Sequence, residues 1–225
     1  MLVSLALLFG LSSFVLVSAT PTKRVVAYIN PAGNGGSMLD SSAGLGEPLN
    51  IIVSGLSSSD VLNIGGLENW AKSIQFTTTC FGVSLGGSQT ANLGDGQGWV
   101  SQLAVLRYDF GDPGIGSCLE SLAGGNHFRF WKQSTTGAYF LASSVEKWAG
   151  ENHNIVPNGY DLGRDNIVSS IVGSASNGSG TTSYNGVTYL NIVEYVSGLL
   201  TPGSSGINHG ISIDGRVAVI TVTIQ

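Results

Sequence analysis

The chain has 225 residues and a formal net charge of −5, and only 10% of its residues are charged. The 9 Lys and Arg leave too little material for a basic face, which excludes a phosphate-backbone binder and with it direct recognition of DNA or RNA. With 33 glycines and 42% hydrophobic residues, the length suits one domain with a real core.

The opening run, MLVSLALLFGLSSFVLVSA, is uncharged and apolar and ends in the small residues Val17-Ser18-Ala19. It reads as a signal peptide over residues 1–19, cut after Ala19, so the mature chain is expected to be secreted and extracellular. A membrane anchor suits the run less well. It is short for a bilayer and carries Gly10, Ser12 and Ser13. No later run is long enough to span, so no membrane association is expected after cleavage. Lys23-Arg24 is a dibasic pair at which a second cut would fall.

Residues 20–48 are rich in Gly, Ser, Ala and Pro without a sustained period, and read as a loosely attached, flexible N-terminal arm. Within it, 25–29 has the composition of an edge strand. Residues 49–53 form a short apolar run of strand length. Ser57 to Ser59 then offer helix caps, and Val61, Leu62, Leu67, Trp70 and Ala71 predict a helix broken or bent near Gly65-Gly66. A strand follows at 73–79, and 82–98 is a glycine-rich loop system. Residues 99–108 fit helix or strand. A hairpin is predicted from 126–133 and 138–143, separated by Ser-Thr-Thr-Gly, then a helix over 160–173. Strands at 186–196 and 216–224 complete the pattern. It describes an α+β single domain over 49–225, a largely antiparallel sheet with a few helices.

Two stretches concentrate the chemistry. In NHFRFW, His127, Arg129 and Trp131 share one strand face and Phe128 and Phe130 the other. A cation, an imidazole and an indole in a row could bind an anionic or flat ligand, although an exposed sheet face of ordinary mixed polarity is the commoner origin of such a row. In NHNIVPNGYDLGRD, His153 precedes the helix. There Asp161, Arg164, Asp165, Val168, Ile171 and Val172 fall on one face, opposite Gly163, Asn166, Ser169 and Ser170. The charged cluster thus continues the apolar stripe inward, where an arginine needs a carboxylate partner. The third histidine, His209, lies in a turn-rich segment. The histidines form no HxH or HExxH, so neither a metal site nor a cofactor is expected, and no Walker loop, GxSxG elbow or dinucleotide fingerprint is present. Cys80 and Cys118 are the only cysteines, and in an oxidising compartment such a pair is expected to bridge. Asn177-Gly178-Ser179 is the one glycosylation sequon, expected on a surface loop.

The combination His127-x-Arg129-x-Trp131, then His153-x-Ile155-x-Pro157 leading to Asp161-x-x-Arg164-Asp165, resembles the LssY C-terminal-like domain family. The order of elements matches over roughly residues 49–173. The chain is similar overall to small secreted fungal proteins that carry this domain alone. Bacterial relatives attach it to a membrane phosphatase-like part that this chain lacks, and the glycine loops, the cysteine pair and the region after Gly180 depart from their pattern. The resemblance implies a fold and a site location and no settled activity.

Three readings of function follow. The first is a binding protein whose cleft, lined by His127, Arg129, Trp131, His153, Asp161, Arg164 and Asp165, takes a small anionic or polar ligand, with the aspartates orienting arginines and imidazoles. The second is a phosphate-ester hydrolase with His127 or His153 as general acid or base and Arg129 holding the anion. The third is an extracellular structural or cell-wall protein in which the polar motif is a buried network.

Overall fold

A computed structural model describes residues 26–42, 44–78, 80 and 87–225. The expected signal peptide, the Lys23-Arg24 pair and residues 82–86 of the glycine-rich loop lie outside the described residues. The first half of the chain gives β1 (Asp40–Ser41), β2 (Ile51–Val53), α1 (Ile64–Lys72), β3 (Phe76–Thr77), β4 (Thr90–Asn92), β5 (Trp99–Ser101) and β6 (Ala104–Tyr108). The second half gives α2 (Gly116–Ala123), β7 (Gly125–Lys132), β8 (Tyr139–Glu146), α3 (Gly159–Val172), β9 (Gly178–Tyr184), β10 (Val187–Val196) and β11 (Val217–Ile224). Strands dominate the described residues, and the α+β expectation fits in outline.

Eight strands make one sheet in the order β3-β6-β7-β8-β2-β11-β10-β9, and β1-β4-β5 make a small second one. The large sheet is antiparallel throughout except where β2 and β11 run parallel at its centre. Two-residue alternation then builds two cores. Phe128 and Phe130 on β7 meet Ile51, Leu141 and Ile220 on one face, covered by Trp70 of α1 and by Ile167 and Val168 of α3. Trp131, Ile52, Phe140 and Val219 point the other way, toward Ala91 of the small sheet. Each buried aromatic or branched side chain contributes about 1.5–3 kcal/mol through removal from water.

Helix α1 starts later than the serine caps suggest, because the side chain of Asn63 caps it by accepting from Gly66 N at 2.8 Å. Gly65-Gly66 does not break it. A Cβ on Gly66 would stand 1.6 Å from Asp60 O, so the glycine serves a close backbone approach. Helix α3 buries Asp161, Arg164, Val168 and Ile171 as the periodicity predicts, leaves Asp165 and Val172 half-buried, and buries Ile167 besides. Gly163 departs from that face assignment: it is buried, and a Cβ there would lie 2.7 Å from Ser144 Cα. Strand β8 is packed that tightly under the helix.

The expected flexible arm is integral to the domain from residue 26. Gln133 clamps the backbone of Ile29 from both sides, at 2.9 and 2.8 Å, and Met38, Asp40 and Glu47 are buried. Residues 26–29 form no strand. Side-chain anchoring replaces the regular pairing that composition suggested. Residues 99–108 resolve into β5 and β6, and β9 forms a hairpin with β10. Among the described residues no helix is long and apolar enough to cross a membrane.

Candidate functional site

On the sheet face turned away from α1 and α3, three adjacent strands carry ionisable groups in register. Arg107 on β6 lies opposite His127 on β7, and His127 lies opposite Ser144 on β8. Two residues along each strand the same face presents Arg129 and Glu146. Helix α2 brings Glu120 over this row. Gly125 makes room for it, since a Cβ there would sit 2.9 Å from Glu120 Cγ.

The Arg107 guanidinium spans two carboxylates: Nη1 is 2.6 Å from Glu120 Oε2 and 3.5 Å from Glu146 Oε2. The other oxygens face His127, with Glu146 Oε1 3.6 Å from Nε2 and Glu120 Oε1 4.0 Å from Nδ1. Both distances exceed hydrogen-bond length. His153 approaches from the surface, its Nδ1 3.4 Å from Glu146 Oε2, so one carboxylate joins a buried imidazole and a part-exposed one. Asn152 and His153 are consecutive residues in the left-handed region, at φ 57° and 54°, which places the ring at a local cost. Arg129 donates from Nη1 to Gln102 Oε1 and Gly87 O, each at 3.0 Å. Beyond it the N-terminal segment supplies Asp40, which accepts from Glu47 N at 2.7 Å, and Glu47 itself.

Electrostatically this centre is rich in carboxylate. Burial pushes Glu47 up to about 8, helped by Asp40 beside it, and Asp40 up to about 6. Burial also carries Glu120 to about 7 against the pull of Arg107, and raises Glu146. The His127 imidazole is held well below its ordinary value, first by burial and then by Arg107. Tyr160 is raised by burial and by Glu47. Several of the buried atoms that lack a hydrogen-bond partner lie here: His127 Nδ1, His153 Nδ1, Glu120 Oε1, Arg129 Nε, Ser144 Oγ, Tyr160 OH, Glu47 Oε2 and Asp40 Oδ2. An unpaired buried polar atom costs about 1–3 kcal/mol. The carboxylates, the imidazoles and the ring hydroxyl can together hold a cation or a small polar molecule.

The sequence grouping divides in two. His127 and His153 meet at Glu146, and Arg129 lies along the same face, with Trp131 next on β7 and packed in the second core. Asp161, Arg164 and Asp165 form a separate network, which corrects the single cluster expected. Arg164 pairs with both oxygens of Asp214, at 2.7 and 2.9 Å, and donates to Asp165 at 2.8 Å and to Arg216 O at 2.8 Å. Asp161 lies 3.4 Å away, and Tyr195 stacks beside the guanidinium while donating to Asp165 at 2.7 Å. The helix end bearing Arg164 turns to the strand that follows Asp214, which the spacing to β7 could not reveal. His209 lines an open surface depression with Lys147 and Asn154. Cys80 and Cys118 are disulfide-bonded, tying α2 to the segment after β3, and Asn177 is exposed just before edge strand β9.

Arg107, Glu120, Glu146, Asp40, Glu47 and Tyr160 were not among the expected site residues. Glu146 had a usable signal: extending the predicted hairpin by its own alternation puts it on the His127 face. The result is a strand-dominated domain with one closed ionic network and one under-partnered, carboxylate-rich centre. No family model matches the chain, and no curated protein or solved structure matches it.

Proposed function

We propose that this is a secreted, single-domain protein of the LssY C-terminal-like kind that binds a small polar ligand at the Glu146–His127 centre. The observation that carries this reading is the set of buried, unpartnered polar atoms gathered on one sheet face beneath α2 and the N-terminal segment. A purely structural network tends to satisfy its members, as that of Arg164 does. The Cys80–Cys118 bridge supports an oxidising compartment. The ligand is polar or cationic in preference to anionic, since Arg107 already meets Glu120 and Glu146, and Arg129 feels Glu47, Glu146 and Asp40.

A second reading, hydrolysis, is favoured by one observation: His153 is fixed by left-handed backbone beside Glu146, as a base oriented by a carboxylate would be. The test is histidine-selective NMR of the mature chain titrated with inorganic phosphate, glycerol and a small alkylamine. Joint movement of the His127 and His153 signals with the polyol or the amine is expected. Histidine signals indifferent to all three overturn the binding reading. Hydrolysis of a generic phosphate ester that His153→Gln abolishes would replace it with the second.

A further inference from the structure

We infer that Glu120, His127 and Glu146 hold one divalent transition-metal ion of the zinc or manganese type. The inference rests on reading the polar centre as a ligand site. The three side chains can each offer one ligand atom with all of these within 4.8 Å of one another. Metal–ligand bonds of about 2.1 Å in tetrahedral array place donors roughly 3.4 Å apart. Glu120 Oε1 lies 4.0 Å from His127 Nδ1 and Glu146 Oε1 3.6 Å from Nε2, so one ion takes one ring nitrogen and the carboxylate on the other side turns toward it, within the 4.8 Å spread of the donor set.

Second, the donors are prepared for a cation. Arg107 occupies Oε2 of both glutamates and leaves the two Oε1 atoms turned to His127. An outer group that fixes ligand carboxylates in this way is a regular part of metal sites. His127 is 1% exposed and Glu120 0%, yet His127 Nδ1 and Glu120 Oε1 have no hydrogen-bond partner. Buried groups of this kind, aimed at one another beyond contact distance, are what an ion would bridge.

Third, the donor chemistry selects the ion. One imidazole and two carboxylates suit zinc or manganese. Calcium takes six to eight oxygen donors, and a soft ion wants thiolates, whereas both cysteines are bridged. Three protein ligands leave a position for water or for the ligand proposed above. Entry runs past Glu146 and His153, whose side chains are 12% and 37% exposed.

The experiment uses the mature chain, stripped with chelator and then given zinc sulfate or manganese chloride alone. Metal retained after desalting is measured for wild type, Glu120→Gln, His127→Gln and His209→Gln. One equivalent is expected in wild type and His209→Gln, with affinity at least tenfold weaker in the other two. If those variants do not fold, X-ray absorption of the zinc-loaded wild type decides. One imidazole nitrogen and otherwise oxygen ligands are expected. Failure of wild type to retain metal, retention unchanged in both ligand variants, or a zinc shell with sulfur or several imidazoles overturns the inference. Histidine signals that move with glycerol or amine in a chain that retains no metal overturn the metal alone. Loss of both results overturns the binding reading beneath it.

Discussion

Arg164 and Arg107 are both buried guanidiniums facing more than one carboxylate, and they differ in what is left over. Around Arg164 the nitrogens find Asp165, Asp161, Asp214 and a backbone carbonyl, and Tyr195 closes the remaining side. Around Arg107 one oxygen of each glutamate is used, while the opposing imidazole and carboxylate atoms stay unpaired. The first arrangement pins α3 to the strand entered after Asp214. The second is unfinished by protein atoms alone. Burial and charge are common to both, and incomplete hydrogen bonding is what separates them.

The comparison breaks most easily at Arg164. Arg164→Ala strands three aspartates around a buried hole and is expected to cost about 5 kcal/mol, the upper end for a broken buried pair. Arg216→Ala removes a side chain that is 40% exposed and should cost at most about 1 kcal/mol. Equal urea midpoints for the two variants would abolish the distinction between the regions. The disulfide comes next. It closes a separation of 38 residues and anchors the helix bearing Glu120, so reduction should cost about 4 kcal/mol on loop-closure entropy. Thiol titration of denatured, unreduced protein should find no free thiol, and reduction should perturb His127 more than Tyr195 in NMR spectra.

A smaller effect has opposite signs in the two regions. Asp214 is held well below its usual value by Arg164 and Arg216, so its contribution is present above about pH 4 and is lost on acidification. Glu47 is raised from 4.5 to about 8, so the folded state holds the extra proton, and stability falls as pH rises through that window. Unfolding measured across pH should therefore lose its acid limb in Asp214→Asn and flatten between about 4.5 and 8 in Glu47→Gln. Identical profiles in both variants would mean that the regions are electrostatically alike. The last expected effect is that of Tyr160→Phe, which removes a buried hydroxyl without a partner and should raise stability by about 1 kcal/mol in place of lowering it. A loss of several kcal/mol would make the unfinished centre as closed as the Arg164 network.

Local patterns carried much of this structure in the sequence. Alternation in NHFRFW separated the phenylalanine core from the His127 face, and the helical period put Arg164 inward. The rest depended on long-range pairing. Glu120 sits on a helix that no strong pattern announces, and Arg107 lies in a segment equally suited to helix or strand. Asp40 and Glu47 belong to a stretch whose composition suggests a loose arm, yet it is held by Gln133 from a distant hairpin. Asp214 shows the limit plainly. It lies 50 positions from Arg164, and nothing local links the two.

The parallel contact between β2 and β11 bears on how the molecule is assembled. During synthesis β2 emerges early and β11 last of the described strands, and β11 alone joins β10 and β9 to the remainder of the large sheet. Until residues 217–224 leave the ribosome, β2 and β10 each present an open edge with unpaired backbone groups, which invites pairing with other chains. The contact order is correspondingly high, and folding should be slow compared with that of a helical bundle of this size. A chain cut before Val217 would lack the strand that both halves share, and aggregation would be its expected fate.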